Sequence, residues 1–210
     1  MDKIQRVINK LIAPNMQAAG FELKKDWGGF YRFTAYGFEE FTVINKGRVD
    51  IHYFGIACAI AVRHDRIQKT FNTFGFIYGE EEQKQNATFV LGYPYDEKGL
   101  PNEYLKISPA TMQEDIEKVA EQISQAFQEQ AIPFYATYSN LAVVVEKLNA
   151  KPLAVIWPYT GDAILEHRMV TSLICAKAVN TNRYDSVREA CVKADGGMFP
   201  MEKRMEVLKK

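Results

Sequence analysis

The sequence is poor in cysteine, with three in 210 residues. Cys58, Cys175 and Cys191 are odd in number and far apart, and none forms a CxxC pair. This pattern argues against a disulfide framework and against a zinc knuckle. No signal peptide is recognisable after Met1, and no apolar run has membrane-spanning length. We therefore expect a cytoplasmic protein with reduced thiols and no membrane partner.

The chain also lacks an excess of charge of either sign. It has 26 basic and 26 acidic residues, and its formal net charge is zero. Proteins that bind nucleic acids generally carry a basic excess, so we expect no nucleic-acid partner. Hydrophobic residues make up 47% and charged residues 25% of the chain, as in ordinary globular proteins, and the length suffices to bury a core.

Local signatures of catalysis are missing as well. The sequence has no GxSxG, no GxGxxG after a strand, no phosphate-binding glycine loop and no HExxH. A structural or surface role is favoured for each of the three histidines, His52, His64 and His167. Cys58 lies in an apolar stretch, where burial blunts the reactivity of a thiol. We therefore predict no catalytic residue, metal site or cofactor, and the balance favours a protein that is not an enzyme.

One stretch organises the rest of the sequence. Residues 48–63, RVDIHYFGIACAIAVR, are apolar at both odd and even positions and rich at the start in β-branched and aromatic residues. Period-two alternation places small residues on one face and larger apolar residues on the other. The pattern predicts one long interior strand, buried on both faces and bent near Gly55, preceded by a turn over residues 45–47.

The surrounding patterns predict an α+β fold. Residues 1–150 form an antiparallel sheet of five or six strands with helices packed on one face, and residues 151–210 form an all-helical C-terminal extension packed on it, after a linker at 151–161. The predicted elements are a helix over 2–19, strands over 21–25, 30–35 and 38–44, a helix over 64–73, a charged loop over 79–85, strands over 86–91 and 102–107, and a helix on each side of Pro133.

Aromatic and polar side chains crowd one predicted hairpin, at residues 27–36. Aromatic residues fall on both faces there, so a sheet with helices on one face leaves some of them near water. Exposed aromatics beside an arginine are typical of recognition surfaces. The plainer interpretation, that they support the sheet and its edge, also fits. The predicted binding residues are Trp27, Tyr31, Arg32, Tyr36, His52 and Tyr53.

The order of elements resembles a known family over residues 1 to about 148. The matching features are a leading helix that ends in Gly20-Phe21, then Lys24-Lys25, Phe30-Tyr31-Arg32, Tyr53-Phe54-Gly55-Ile56 and Ile132-Pro133-Phe134. This pattern resembles the bacterial domain of unknown function forty-three-oh-four family, although Asn45-Lys46 stands where the family pattern has a glutamine-bearing segment. The resemblance implies an α+β fold and a bacterial source, and it brings no activity and no catalytic residues.

Three functional hypotheses follow. The leading one is a non-enzymatic module that binds a protein partner. A narrower form is an immunity protein that neutralises a toxin, by analogy with other compact domains of this kind. The third is a small-molecule enzyme whose site forms only in three dimensions, near Arg32, His52, Tyr53 and Glu40. The sequence leaves the oligomeric state open.

Overall fold

The computed structural model describes residues 2–74, 79–93, 105–150, 162–179 and 181–195. The strands are β1 Glu22–Lys24, β2 Gly29–Thr34, β3 Gly37–Arg48, β4 Phe54–His64, β5 Phe89–Tyr93 and β6 Leu105–Ile107. The helices are α1 Lys3–Ala18, α2 Asp65–Asn72, α3 Glu80–Gln85, α4 Met112–Ala126, α5 Ile132–Tyr138, α6 Leu141–Ala150, α7 Asp162–Val179 and α8 Thr181–Asp195. The fold is α+β, as predicted: a six-stranded antiparallel sheet in the order β1-β2-β3-β4-β5, with β6 beside β4. No helix in these ranges is long and apolar enough to cross a membrane.

β4 is the interior strand that the apolar pattern predicts. On one side of β4, β3 pairs along the whole length of β4. On the other side, β5 pairs with the second half of β4 and β6 with the first half. From Gly55 to His64 every residue except Ala59 is buried. β4 therefore has a hydrogen-bonded neighbour on each side, and its side chains are buried on both faces, which agrees with apolar residues at both parities.

The predicted beginning of this strand is wrong, because β4 begins at Phe54 and not at Arg48. The hairpin turn lies after Arg48. There the Asp50 carboxylate accepts the backbone N–H groups of His52 at 2.6 Å and Tyr53 at 2.9 Å. This local side-chain hydrogen bonding competes with the β-ladder and closes a turn inside the apolar stretch.

The predicted turn at residues 45–47 is an irregularity within β3. The pairing register shifts between Asn45 and Arg48, Gly47 has a φ of +74°, and its N–H donates to Asn45 Oδ1 at 2.8 Å. An Asn-x-Gly sequence suits a bulge as well as a turn, because both need a residue at positive φ. Gly55, where a bulge or bend is predicted, lies opposite this irregularity of β3 and pairs with Lys106 on the other side of β4.

Helices cover one face of the sheet, which we call the core face. It contains Ile56, Cys58, Ile60 and Val62 of β4, and α1 packs there through residues that are completely buried. Burial raises the pKa of the Cys58 thiol, so this cysteine is an unreactive core residue, as predicted. The helical side chains that share this core include Ile8, Ile12, Met16, Ile116, Ile123, Phe127, Tyr135, Val144, Leu148, Met169 and Leu173.

The opposite face, which we call the alanine face, has small residues in the centre. Ala57, Ala59 and Ala61 of β4 lie beside Ile44, Thr42 and Glu40 of β3. Gly29, Tyr31, Phe33 and Phe38 lie on this face farther out. Two of its buried side chains, Tyr31 and Phe38, are not part of the main apolar core.

Two further segments differ from prediction. Residues 79–85 contain a short helix, α3, whose first turn has three glutamates; negative charge is favourable at a helix N-terminus. Pro133 does not separate two helices. A π-helical segment, Phe127–Ala131, joins α4 to α5, and Pro133 falls in the first turn of α5, where proline is tolerated.

The predicted helical extension is present as α7 and α8, whereas residues 151–161 and 196–210 lie outside the described ranges. α7 packs on α2 and α6 as well as on α8. Its side chains at Met169, Leu173 and Ile174 belong to the same apolar core as the sheet. The extension therefore contributes directly to the core of the preceding α+β unit.

Candidate functional site

The structure distributes the six predicted binding residues over three places. Arg32 and Tyr36 share a polar cluster at one end of the core face. Trp27 and Tyr31 belong to an aromatic cluster on the alanine face. His52 and Tyr53 lie in the turn between β3 and β4.

The polar cluster is built around Glu39, which is 3% exposed. Arg32 lies opposite it on β2, and the Arg32 Nε donates to Glu39 Oε2 at 2.6 Å. The Tyr36 hydroxyl donates to Glu39 Oε1 at 2.5 Å. Arg32 Nη1 also donates to the Ala19 carbonyl at 2.8 Å, after the end of α1. Both carboxylate oxygens therefore have donors, and the cluster ties α1 to the sheet.

His64, at the end of β4, extends this cluster. Its ring stacks on Tyr36, and its Nε2 lies 2.9 Å from the Tyr138 carbonyl oxygen at the end of α5. A carbonyl can only accept, so Nε2 carries the proton. Burial lowers the pKa of His64, and the bond to Tyr138 opposes this shift. The neutral imidazole thus joins β4, α5 and the β2–β3 hairpin, which is a structural arrangement.

The aromatic cluster comprises Trp27, Tyr31, Phe33 and Phe38. Ring centroids are 5.0 Å apart for Trp27 and Tyr31, 5.3 Å for Tyr31 and Phe38, and 6.3 Å for Phe33 and Phe38. Most of these contacts are edge-to-face, the geometry that aromatic pairs favour. Tyr31 and Phe38 are buried, Trp27 is half-buried, and Phe33 is 57% exposed. The cluster therefore has a rigid buried base and an exposed aromatic surface.

Cations of the chain lie against two of these rings. Lys24 Nζ is 5.6 Å from the centroid of Phe33, and the Arg63 guanidinium carbon is 5.7 Å from that of Phe38. Lys24 also pairs with Glu22 at 2.8 Å. Arg63 is buried and makes hydrogen bonds to Asp65, to the Gln83 carbonyl and to Asn86.

A carboxyl group adjoins the aromatic cluster. Glu40 lies opposite Tyr31 and is half-buried. Thr42 Oγ1 donates to Glu40 Oε1 at 2.6 Å. Burial raises the pKa of Glu40, and the nearby hydroxyl groups of Thr42 and Tyr31 partly offset that shift. Burial is likewise the main cause that raises the pKa of Tyr31, with Glu40 adding to it.

The third place is the tip of the β3–β4 hairpin. His52 and Tyr53 are exposed there, and Ile51 beside them is 80% exposed. The Tyr53 ring lies 5.8 Å from Lys106 Nζ. The tip is held by the carboxylate of Asp50, as described above.

The arrangement does not bring Arg32 together with His52 and Tyr53. Arg32 lies opposite Glu39, which pairs with Val62. Tyr53 precedes Val62 by nine residues, so the two places are roughly 30 Å apart along the strand direction at about 3.3 Å per residue. In addition, Arg32 and Glu40 point to opposite faces of the sheet. In the part of the chain that the structure describes, no group of three or more His, Cys, Asp or Glu side chains is arranged to hold a metal ion.

Sequence reasoning missed Phe33 and Glu39 as important positions. Period-two alternation puts Glu39 and Glu40 on opposite faces but cannot say which face carries the helices. The cross-strand partner of each residue depends on the β2–β3 register, which no local motif encodes. The many aromatic residues at 27–36 therefore indicate an aromatic surface, but the sequence does not show which of these side chains are exposed.

Comparison of the chain with protein-family models, curated proteins and solved structures finds no match. The family resemblance over residues 1 to about 148 stays a prediction, and no role is carried over from it.

Proposed function

We propose that this protein is a non-enzymatic module that binds a protein partner through the aromatic surface of Trp27 and Phe33. The observation that carries the proposal is Phe33, which is 57% exposed although it packs against a preformed aromatic cluster. Large rigid aromatic side chains are the usual energetic centres of protein interfaces. Because the aromatic side chains beneath Phe33 are already packed, less conformational entropy is lost when this surface binds a partner.

The remaining candidate residues support a binding role over a catalytic one. The Arg32, Tyr36 and Glu39 groups satisfy one another and link α1 to the sheet. His64 also has a structural role, because its ring stacks on Tyr36 and hydrogen-bonds the Tyr138 carbonyl. These groups have structural partners within the fold, whereas more than half of the Phe33 side chain faces solvent.

Co-purification from the native host tests the proposal. The tagged chain is expressed at near-native level as wild type, as Phe33→Asp and as Leu11→Asp. Leu11 is the matched control, because it is 44% exposed and lies on α1, away from the aromatic surface. We expect a stoichiometric partner with wild type and with Leu11→Asp, and its loss with Phe33→Asp. Recovery of the bait alone from wild type, or equal recovery with Phe33→Asp, contradicts the proposal.

The toxin-immunity hypothesis is a narrower form of the same proposal and differs only in the partner. It predicts that co-expression of this chain relieves the toxicity of a neighbouring gene product. Relief should then fail with Phe33→Asp and persist with Leu11→Asp. Toxicity that wild type leaves unrelieved dismisses this narrower form.

A further inference from the structure

The imidazole ring of His64 connects two segments that are about a hundred residues apart in the sequence. The residue is 3% exposed, and its ring stacks on Tyr36 in the turn between β2 and β3. Its Nε2–H donates to the Tyr138 carbonyl oxygen at the end of α5, at 2.9 Å. One titratable side chain therefore contributes to the position of both the β2–β3 turn and the end of α5.

The backbone of His64 is fixed independently of this ring. His64 pairs with Gly37 in the β3–β4 ladder, and its backbone N–H donates to Thr88 Oγ1 at 2.9 Å. The ring can therefore change rotamer while β4 stays paired. Solvent is close, because Tyr36 and Tyr138, the two neighbours of the ring, are only half-buried.

A positive charge on the His64 ring is unfavourable in the packed position. Nε2 already carries a proton, so acid adds the second proton at Nδ1 and charges a buried ring. Burial lowers the pKa of His64, and this effect is larger than the opposing effect of the bond to the Tyr138 carbonyl. Burial also raises the pKa of the Tyr138 phenol, which therefore stays neutral in acid and supplies no countercharge.

The carboxylates on the segments around the ring have cations of their own. Glu39 accepts from the Tyr36 hydroxyl and forms an ion pair with Arg32 at 2.6 Å. Asp65 follows His64 in the chain, its N–H donates to the Tyr36 carbonyl, and its carboxylate pairs with Arg63 at 2.6 Å. Among the described residues, these two carboxylates are thus already paired and do not offset a charge on His64.

We propose that His64 is a pH-sensitive switch, which holds the β2–β3 turn against the end of α5 when neutral and releases both when protonated. In the released state the charged ring turns into water, the stack on Tyr36 is lost and the Tyr138 carbonyl loses its donor. One proton is bound in this step, and no covalent bond changes. The strands stay paired, because the backbone contacts of His64 do not involve the ring. The switch goes beyond the proposed binding function and does not depend on it.

An NMR titration of the purified full chain, with labelled histidine and tyrosine, tests the switch. The imidazole signals of His64 report its protonation, and nuclear Overhauser contacts between the His64 and Tyr36 rings report the packed state. We expect His64 to titrate below 6.5, with the ring contacts disappearing in the same step. Ring contacts that persist after protonation, or a titration of His64 at or above 6.5, overturn the proposal.

Hydrogen exchange separates local release from global unfolding. Exchange is measured at pH 7.5 and pH 5.5 and corrected for its intrinsic pH dependence. Peptides that contain the β2–β3 turn or the end of α5 should open more at the lower pH, by up to about tenfold, because the released ring has the ordinary pKa of 6.5. Peptides of α7 should not change. A similar increase in every peptide means global unfolding and overturns the local switch.

Two variants assign the response to His64. His64→Gln keeps a side-chain N–H donor and cannot be protonated in this range, so we expect exchange at the turn and at the end of α5 to be independent of pH. His52→Gln is the matched control at the exposed hairpin tip and should respond like wild type. An equal pH response in His64→Gln and wild type overturns the proposal. If His64→Gln does not fold, the wild-type NMR titration decides, since it needs no variant.

Discussion

The ring of Tyr36 lies almost parallel to the imidazole of His64, with centroids 4.9 Å apart and an interplanar angle of 25°. Because the Tyr36 hydroxyl donates to Glu39, this stack connects the Arg32–Glu39 ion pair to the end of β4. It places a titratable ring inside the packed structure, and the ring is neutral in its favoured state.

We expect the protein to lose stability as pH falls below 6.5 because of His64. Its folded-state pKa is lowered from 6.5, so the unfolded chain binds the proton first as pH decreases. The contribution of the neutral ring is thus complete above pH 6.5 and is lost as pH falls through the folded-state pKa. Urea unfolding at pH 7.5 and pH 5.0 measures the difference.

Other groups titrate in the same range, so the variants decide the assignment. His64→Gln should lose less stability between these two pH values than wild type. His52→Gln, at the exposed hairpin tip, should behave like wild type. An equal pH effect in His64→Gln and wild type would contradict the role given to this ring.

Glu39→Ala should destabilise the fold by about 2 kcal/mol, because it leaves the Tyr36 hydroxyl and the partly exposed Arg32 guanidinium without their acceptor. Glu22→Ala removes the exposed partner of Lys24 in the same sheet and should cause no measurable change. Chemical denaturation with fluorescence of the tryptophans measures both. Similar costs for the two variants would show that the Glu39 cluster is not a special stabilising contact.

The β2–β3 hairpin depends on close approach of Gly37 to β4. A Cβ atom on Gly37 would lie 2.2 Å from the Arg63 carbonyl oxygen, and φ at Gly37 is +152°. Gly37→Ala should therefore cost about 3 kcal/mol or more, from backbone strain together with overpacking. At Gly28, φ is +80° but nothing lies within 4 Å of a Cβ, so Gly28→Ala should cost only about 1 kcal/mol. Thermal unfolding compares the pair, and a larger cost at Gly28 would refute this account of the hairpin.

Glu40→Gln should keep or increase the stability of the protein at neutral pH. The folded-state pKa of Glu40 is raised, so the charged form disfavours folding above that pKa, and a neutral amide removes this cost. The gain should be largest at high pH and should vanish below pH 4.5, where the carboxyl group is protonated in both states. Free energies of unfolding at several pH values measure it, and a marked destabilisation at pH 8 would contradict the cost assigned to the charged form of Glu40.

β4 shows most clearly which features of the fold could be predicted from the sequence. Its interior position was predicted from apolar residues at both parities, and its side chains are buried at both parities from Gly55 to His64 except at Ala59. The first residue of β4 could not be predicted, because Asn45-Lys46-Gly47 fits a bulge and a turn equally well. The deciding contact, from Asp50 to the backbone of His52 and Tyr53, involves a polar residue within an apolar stretch.

The candidate site shows the same limit. The many aromatic residues at 27–36 indicate an aromatic surface there. The β2–β3 pairing register, however, determines which side chains contact one another. Arg32 and Tyr36 converge on Glu39, whereas Trp27 and Tyr31 lie on the other face. A register is set by turn geometry and by the buried pattern of the whole sheet, so local sequence could not separate these two groups.

The most direct test of the proposed binding surface is photo-crosslinking in the native host. A photoreactive phenylalanine analogue replaces Phe33 in one chain and Leu11 in another, and crosslinked products are compared after irradiation. The account predicts one discrete heteromeric product from position 33 and none from position 11. The absence of a product from position 33, or the same products from both positions, would contradict it.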